Sequence, residues 1–145
     1  MANSSSLVAV LALGTLWSLA AAPRPADARR PPVPDVRGSY FGNFVAGNSD
    51  TWPGEVTLFL QTGSRLGGEL RIGARVTNVN LTGTVASSGR IRLDGNSGTG
   101  RNRLHFRLTG TFQEMSGASP RFDGSYRITG ARSESGSFQM IGNTD

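Results

Sequence analysis

Apolar and polar residues alternate without interruption through residues 104–112, with a glycine at one of the apolar positions. A period of two is typical of a β-strand with one buried face, because successive side chains of a strand point to opposite sides of the sheet. The inward row of this strand is Leu104, Phe106, Leu108, Gly110 and Phe112. The tetrad Leu-Thr-Gly-Thr at 108–111 also occurs at 81–84, which predicts a second strand of the same kind.

The same alternation continues along the rest of the chain and predicts eight strands. They lie at about 38–45, 54–62, 68–74, 76–86, 90–94, 102–113, 121–130 and 136–142. Short segments rich in Gly, Ser and Asn separate them, which indicates tight turns between antiparallel neighbours. The predicted class is therefore all-β, in an eight-stranded antiparallel up-and-down meander barrel, with a β-sandwich as the alternative.

The inward rows predict a packed core, which must stabilise the domain alone because the chain has no cysteine. Outside residues 104–112 the apolar members are Tyr40, Phe44, Val56, Leu58, Leu60, Leu70, Ile72, Val79, Leu81, Val85, Ile91, Leu93, Phe122, Tyr126, Ile128, Phe138 and Met140. Gly42, Gly83, Gly110 and Gly124 also lie on these rows, where glycine weakens a flat sheet but permits the bend of a closed one.

The N-terminal part of the chain is typical of an export signal. Residues 7–22 form an apolar run, and Ala26-Asp27-Ala28 supplies the small-x-small pattern that signal peptidase recognises. We predict a signal peptide at 1–28, a Pro/Arg-rich tether at 29–36 and a single β-barrel domain at 37–145. This organisation predicts a secreted, periplasmic or cell-envelope protein that does not span a membrane after cleavage. The alternative is that the segment is retained as a membrane anchor.

Gly38-Ser39-Tyr40 opens the first strand of an eight-strand meander that follows a signal peptide. In this respect the chain resembles the calycin group, the β-barrels that include the avidins and lipocalins. Those families commonly have Gly-x-Trp where this chain has Gly-x-Tyr. The resemblance covers about residues 38–142 and implies architecture only, so no ligand contact is transferred to any residue.

Charge supplies the first candidate for a function. The chain carries 15 basic residues, all arginine, against 10 acidic ones, for a formal net charge of +5. Arg90, Arg92, Arg103 and Arg107 occupy polar positions of adjacent predicted strands and should share one outer face with His105. Such a face favours anionic surfaces such as lipid headgroups, cell-wall polymers or nucleic acid. No aromatic residues interleave with the arginines, so no specific nucleic-acid partner is expected. The alternative is an ordinary solvated face.

The second candidate is the rim of the barrel formed by alternate loops, which should collect several polar residues and a tryptophan placed in a loop. These residues are Asp50, Trp52, Asp94, Asn96 and Arg101. An indole ring beside polar groups is suited to a small ligand or a glycan, because it offers contact area and an N–H donor. The alternative is that Trp52 folds over the barrel end as a plug.

Catalytic chemistry has few candidates in this chain. His105 is the only imidazole, no thiol is present, and His105 lies on the polar face of its strand beside arginines. A hydrolase using rim carboxylates among Asp50, Glu55, Asp94 and Asp123 remains an alternative. Residues 94–98 have only the first half of a calcium-loop spacing, so no metal or cofactor is predicted.

These patterns together predict an exported, non-catalytic β-barrel that acts as a binding or cell-surface-associated module. Its ligand and its oligomeric state stay open. A small outer-membrane barrel is a further alternative, because it also alternates apolar and polar residues. The short apolar rows and the C-terminus without an aromatic residue are unlike that class.

Overall fold

The computed structural model describes residues 31–73 and 76–143. They form eight strands and one short 3₁₀ helix at Gly100–Asn102. The strands are β1 Gly38–Ala46, β2 Thr51–Thr62, β3 Arg65–Ile72, β4 Val76–Val85, β5 Arg90–Ser97, β6 Leu104–Gln113, β7 Arg121–Gly130 and β8 Glu134–Gly142. The predicted signal peptide lies outside the described residues. Within the described residues, no helix has the length and apolar character needed to cross a membrane.

Each strand pairs antiparallel with the next one in sequence, and β8 pairs back with β1, so the sheet is a closed barrel. The predicted up-and-down meander is confirmed. Because the strands alternate in direction, the turns collect at two ends. One end, the mouth end, carries the connections after β1, β3, β5 and β7. The other, the tether end, carries the remaining connections, the start of β1 and the end of β8.

Three details differ from the sequence prediction. The β2 strand begins at Thr51, so Trp52 lies in a strand and not in the preceding loop. The β5 strand continues beyond its predicted end at Asp94 to Ser97, so Asn96 is a strand residue as well. The pairing of β2 with β3 shifts register between Leu58 and Leu60, and the predicted inward position of Leu60 is wrong: 57% of this residue is exposed. A bulge moves the residues after it to the opposite face of the sheet.

The interior of the barrel is filled by the remaining inward rows. Four phenylalanines, Phe44, Phe106, Phe122 and Phe138, are among the largest fully buried side chains. The rings of Phe122 and Phe138 lie 4.8 Å apart between centroids, and those of Phe44 and Tyr126 lie 5.3 Å apart, both edge to face. Aromatic rings bury large areas and pack favourably in this geometry. The described residues of the inward rows therefore form a packed apolar core.

Two glycines on the inward rows are required by close approach of neighbouring strands. A Cβ atom built on Gly83 would overlap the carbonyl oxygen of Arg92 on β5. A Cβ atom on Gly110 would overlap the carbonyl oxygen of Asp123 on β7 and would lie 2.9 Å from Cε2 of Phe122. A side chain at either position would push the strands apart where the wall of the barrel bends.

The tether end is closed by the chain segment that precedes β1. Val36 is completely buried, and its carbonyl oxygen accepts a 2.6 Å hydrogen bond from the Tyr40 hydroxyl. The side-chain amide of Gln61 accepts from the backbone N–H of Val36 and donates to the carbonyl oxygen of Pro34. Val33 also packs against the core. The last residues of the predicted tether therefore contribute to the packed barrel.

Candidate functional site

The outer surface of β5, β6 and β7 carries a dense group of arginine and hydroxyl side chains. The register places Arg92 opposite Thr109, and Thr109 opposite Ser125. In the adjacent outward row, Asp94 lies opposite Arg107, and Arg107 lies opposite Arg127. We refer to this surface as the arginine face, which comprises Arg90, Arg92, Asp94, Arg107, Thr109, Ser125 and Arg127.

Asp94 contacts three basic side chains on this surface. Its Oδ1 atom accepts a 2.9 Å hydrogen bond from Nε of Arg107, and its Oδ2 atom lies 3.4 Å from Nε of Arg92. Nε2 of His105 lies 3.2 Å from the same Oδ1 atom. One carboxylate therefore contacts two guanidinium groups and one imidazole ring.

The pKa of Asp94 reflects these contacts. Partial burial of the carboxyl group works to raise its pKa, but the hydrogen bond and charge of Arg107, the charge of Arg92 and the hydrogen bond of His105 outweigh burial. The pKa of Asp94 is lowered below its ordinary value. The carboxylate is therefore ionised, and its arginine contacts are intact, at any pH near neutrality.

His105 belongs to the same network instead of standing alone on a solvated strand. Its Nδ1 atom lies 3.1 Å from Oδ1 of Asn96, directly across the β5–β6 pair, while Nε2 faces Asp94. Both ring nitrogens therefore lie within hydrogen-bond distance of a side-chain oxygen, and a neutral imidazole, which has one N–H, donates to one of the two.

Arg127 is a member of this surface that was not predicted from the sequence. It lies on β7, is exposed, and sits directly opposite Arg107. The signal was present in the sequence, because residues 121–130 alternate and place Arg127 between the inward residues Tyr126 and Ile128. Its position directly opposite Arg107 depends on the register of β6 against β7, which the alternation does not specify. Arg103, by contrast, precedes β6 at the mouth end and is exposed there.

The five residues predicted for the rim do not form one group. Asp50 accepts a hydrogen bond from the Asn48 side chain within the β1–β2 turn. Asp94 and Asn96 lie on the outer wall of β5, and Arg101 is exposed in the 3₁₀ helix. Of the five, Trp52 alone is packed against the core, where it is half-buried at the barrel end.

Trp52 borders a small cavity at the mouth end. The cavity has a volume of about 10 Å³, which is at most enough for a single water molecule. Its other lining residues are Phe44, Ile72, Tyr126, Ile128, Arg132 and Glu134. This geometry corresponds to the plug that was the alternative expectation for Trp52.

Three polar side chains, Tyr126, Arg132 and Glu134, are in contact at the same end of the barrel. The Tyr126 hydroxyl donates a 2.8 Å hydrogen bond to Oε1 of Glu134, and Arg132 lies 3.6 Å from Oε2 of Glu134. Burial, followed by the hydrogen bond and charge of Glu134, raises the pKa of Tyr126. The phenol therefore stays protonated and donates throughout the physiological range.

The carboxylates considered for catalysis on the barrel wall are each paired with arginine. Glu55 lies 3.7 Å from Arg71, and Asp123 lies 3.2 Å from Arg121. Together with Asp94, these groups occupy three different strands, β2, β7 and β5. Over residues 31–73 and 76–143, no three His, Cys, Asp or Glu side chains come together as a metal site. Their arrangement is that of surface ion pairs.

Comparison with known proteins gives a structural similarity and no family. No protein-family model matches the chain, and no curated protein matches it. A solved structure similar to it is that of a fluorescence-activating β-barrel designed de novo. That similarity has a TM-score of 0.46 and 18% sequence identity, and it covers 74% of this chain and 93% of the designed one. The comparisons do not confirm the resemblance to the calycin group. The barrel is established by the strand pairing, in which β8 pairs back with β1.

Proposed function

We propose that this protein is an exported, non-catalytic β-barrel that binds anionic surfaces through its arginine face. The observation that carries the proposal is the density of positive charge: the arginine face holds Arg90, Arg92, Arg107 and Arg127 and a single carboxylate, that of Asp94. Guanidinium groups stay protonated at any physiological pH, so this surface is always positive.

Two arginines of the arginine face already have a side-chain partner. Asp94 contacts Arg92 and Arg107 through their Nε atoms, so these two contacts do not use the terminal amino groups. Donors that are already held in place lose less conformational entropy when an anion binds. The hydroxyls of Thr109 and Ser125 lie in the same cross-strand row as Arg92, beside the row of Arg107 and Arg127, and add neutral donors.

The packed interior supports a role for the outer wall. The inward rows fill the barrel, and the cavity at the mouth end has a volume of about 10 Å³. Apolar rows that face the core also leave a polar outer wall on β5–β7, unlike the lipid-facing wall of an outer-membrane barrel.

Export is the second part of the proposal and rests on the sequence alone. The apolar run at 7–22 and the Ala-x-Ala site support cleavage between Ala28 and Arg29. The intact mass of the protein recovered outside the cytoplasm checks it. A mass that retains residues 1–28 would indicate an anchored protein and change the localisation.

The test of binding uses phosphatidylglycerol vesicles and long-chain inorganic polyphosphate as two anionic probes. We expect binding to at least one probe that weakens steeply as the Debye length falls from about 30 Å at 0.01 M salt to about 10 Å at 0.1 M. The double variant Arg92→Ser/Arg107→Ser should lose most of this binding.

The matched control is Arg37→Ser/Arg71→Ser. These two arginines are also ion-paired, to Asp35 and Glu55, and their side chains are similarly exposed, but they lie outside the arginine face. Both double variants lower the net charge by the same amount. Equal losses for the two, or no binding to either probe at low salt, would overturn the proposal.

A further inference from the structure

The arginine face contains two shallow grooves that share one side. The first groove runs over β4, β5 and β6, and its polar lining is Ser64, Thr84, Arg90, Arg92, Arg107 and Thr109. The second runs over β6, β7 and β8, and its polar lining includes Arg107, Thr109, Ser125, Arg127 and Ser135. Arg107 and Thr109 belong to both grooves and form the divide between them.

The second groove contains two arginines of paired strands, one of which has no carboxylate partner among the described residues. Arg107 and Arg127 lie directly opposite each other on paired strands, and like charges in this position are destabilising. Within the described residues, Asp94 is the only carboxylate within ion-pair distance of Arg107, and none lies within 4.0 Å of Arg127. An anion between the two guanidinium groups would remove the repulsion.

The side chains around each groove suit a phosphate group. Guanidinium groups bind phosphate oxygens through paired, charge-assisted hydrogen bonds, and hydroxyl groups can donate to the remaining oxygens. Each groove offers both types of donor, with Arg90, Arg92 and Thr84 on one side and Arg127, Ser125 and Ser135 on the other.

We infer that the two grooves together bind one linear polyphosphate-type chain, with a phosphate group in each groove and Arg107 shared between them. This inference rests on the proposed function and specifies its ligand. The grooves are centred on β5 and β7, which are two strand spacings apart, or roughly 10 Å. A ligand that fills both must therefore carry repeated anionic groups and lie across the strands. A single phosphate can occupy only one groove.

The surroundings favour a soluble polymer over a lipid membrane. The exposed large apolar residues of the described chain are Phe41, Val45, Phe59, Leu60, Met115 and Ile141. None of them lies on β5, β6 or β7. Proteins that dock on membranes usually insert apolar side chains beside their basic residues, and the arginine face offers none.

The experiment measures the affinity of the full chain, as its host processes it, for orthophosphate, triphosphate and long-chain polyphosphate at several salt concentrations. We expect affinity to rise far more than in proportion to charge once the polymer is long enough to span both grooves, because the second contact becomes intramolecular. Phosphatidylglycerol vesicles serve as the membrane arm.

The groove-specific variant is Arg127→Ser, with Arg71→Ser as its charge-matched control outside the arginine face. Arg127→Ser should weaken long-chain binding about 5- to 10-fold and reduce the slope of log K against log salt by about one. Arg71→Ser should leave the slope unchanged. Arg127→Lys keeps the charge and should restore the slope, while thermal melts of all three variants establish that the barrel is intact.

The outcomes separate this inference from the proposed function. Loss of long-chain binding in Arg92→Ser/Arg107→Ser with no effect of Arg127→Ser would overturn the two-groove arrangement and keep the proposed function. Binding to vesicles without binding to polyphosphate would likewise overturn only the polymer ligand. Absence of binding to every probe would overturn both.

Discussion

The two faces of β5, β6 and β7 are built from alternate residues of the same strands, yet they have opposite chemistry. The inner face consists of Ile91, Leu93, Phe106, Leu108, Phe122 and their neighbours, all nearly inaccessible to solvent. The outer face consists of arginines, hydroxyls and a few other polar residues, namely Asp94, Asn96, His105, Gln113 and Asp123, all of them partly or fully exposed. Buried apolar area dominates folding stability, whereas exposed ion pairs contribute little to it. The comparison implies that the inner face sets stability and the outer face is free to serve binding.

The largest expected effect on stability comes from filling the glycine positions of the inner face. Gly83→Val and Gly110→Val should each destabilise the barrel by more than about 1 kcal/mol, because the new side chains would collide with the carbonyl oxygens of Arg92 and Asp123. Denaturant melts measure the change. Thr111→Val, an outward position on β6, is the control and should leave the midpoint nearly unchanged. Parental midpoints for both glycine variants would contradict the tightly bent wall.

An intermediate effect is expected at the barrel end, where inner and outer chemistry meet. Tyr126→Phe keeps the ring contact with Phe44 but removes the hydrogen bond to Glu134, which leaves a half-buried carboxylate with fewer donors. The expected cost is about 1 kcal/mol, typical of one hydrogen bond. Thermal unfolding at neutral pH provides the measurement. If the melting temperature stayed at the parental value, the hydrogen bond between Tyr126 and Glu134 would have no stabilising role.

The smallest effect on stability is expected for Asp94→Asn, which should change binding in the opposite direction. The pKa of Asp94 is lowered in the folded protein, so its contribution is present above the pKa of the unfolded chain and is lost as pH falls through the folded value. The parent should therefore exceed the variant in stability by less than about 1 kcal/mol at neutral pH, and the difference should vanish in strong acid. Urea melts of both proteins across the acid range measure it.

Asp94→Asn should lower stability slightly but strengthen binding. Removal of the only carboxylate on the arginine face should strengthen binding to polyphosphate at low salt, because one repulsive charge is lost. The neutral amide can still accept a hydrogen bond from Arg107. Weaker binding in the variant, at unchanged stability, would mean that the ionised carboxylate matters more for holding the arginines than for repelling the ligand.

The architecture was predictable from the sequence because the barrel depends on a local pattern. Alternation with a period of two identifies which residues face inward, and short turns make consecutive strands antiparallel neighbours. The inward prediction for Leu60 is wrong because a bulge after Leu58 moves the residues that follow to the opposite face of the sheet. The residue types at 58 and 60 do not indicate a bulge. The Pro53-Gly54 pair is typical of a turn and therefore predicts a loop at Trp52, whereas the pairing of Trp52 with Phe44 continues the strand through it.

The candidate site was less predictable because it depends on register. Which outward residues meet is determined by how far each strand is displaced along its neighbour, and this displacement follows from turn lengths and closure of the whole barrel. From the sequence, Asp94 was expected on the rim and Arg107 on the basic surface, yet the register brings the two side chains into contact. The same register adds Arg127 to the surface.

An even number of strands brings the start of β1 and the end of β8 to the same end of the barrel. Asn143 donates its backbone N–H to the carbonyl oxygen of Ser39, so the two chain ends of the barrel are already neighbours. A short linker could join them, and new termini could be opened in the exposed turn at 115–118 between β6 and β7. Such a circular permutant would keep all eight strand pairings while separating β6 from β7 in sequence. It would show whether the Arg107–Arg127 pair depends on the order in which the strands are connected or on closure of the barrel alone.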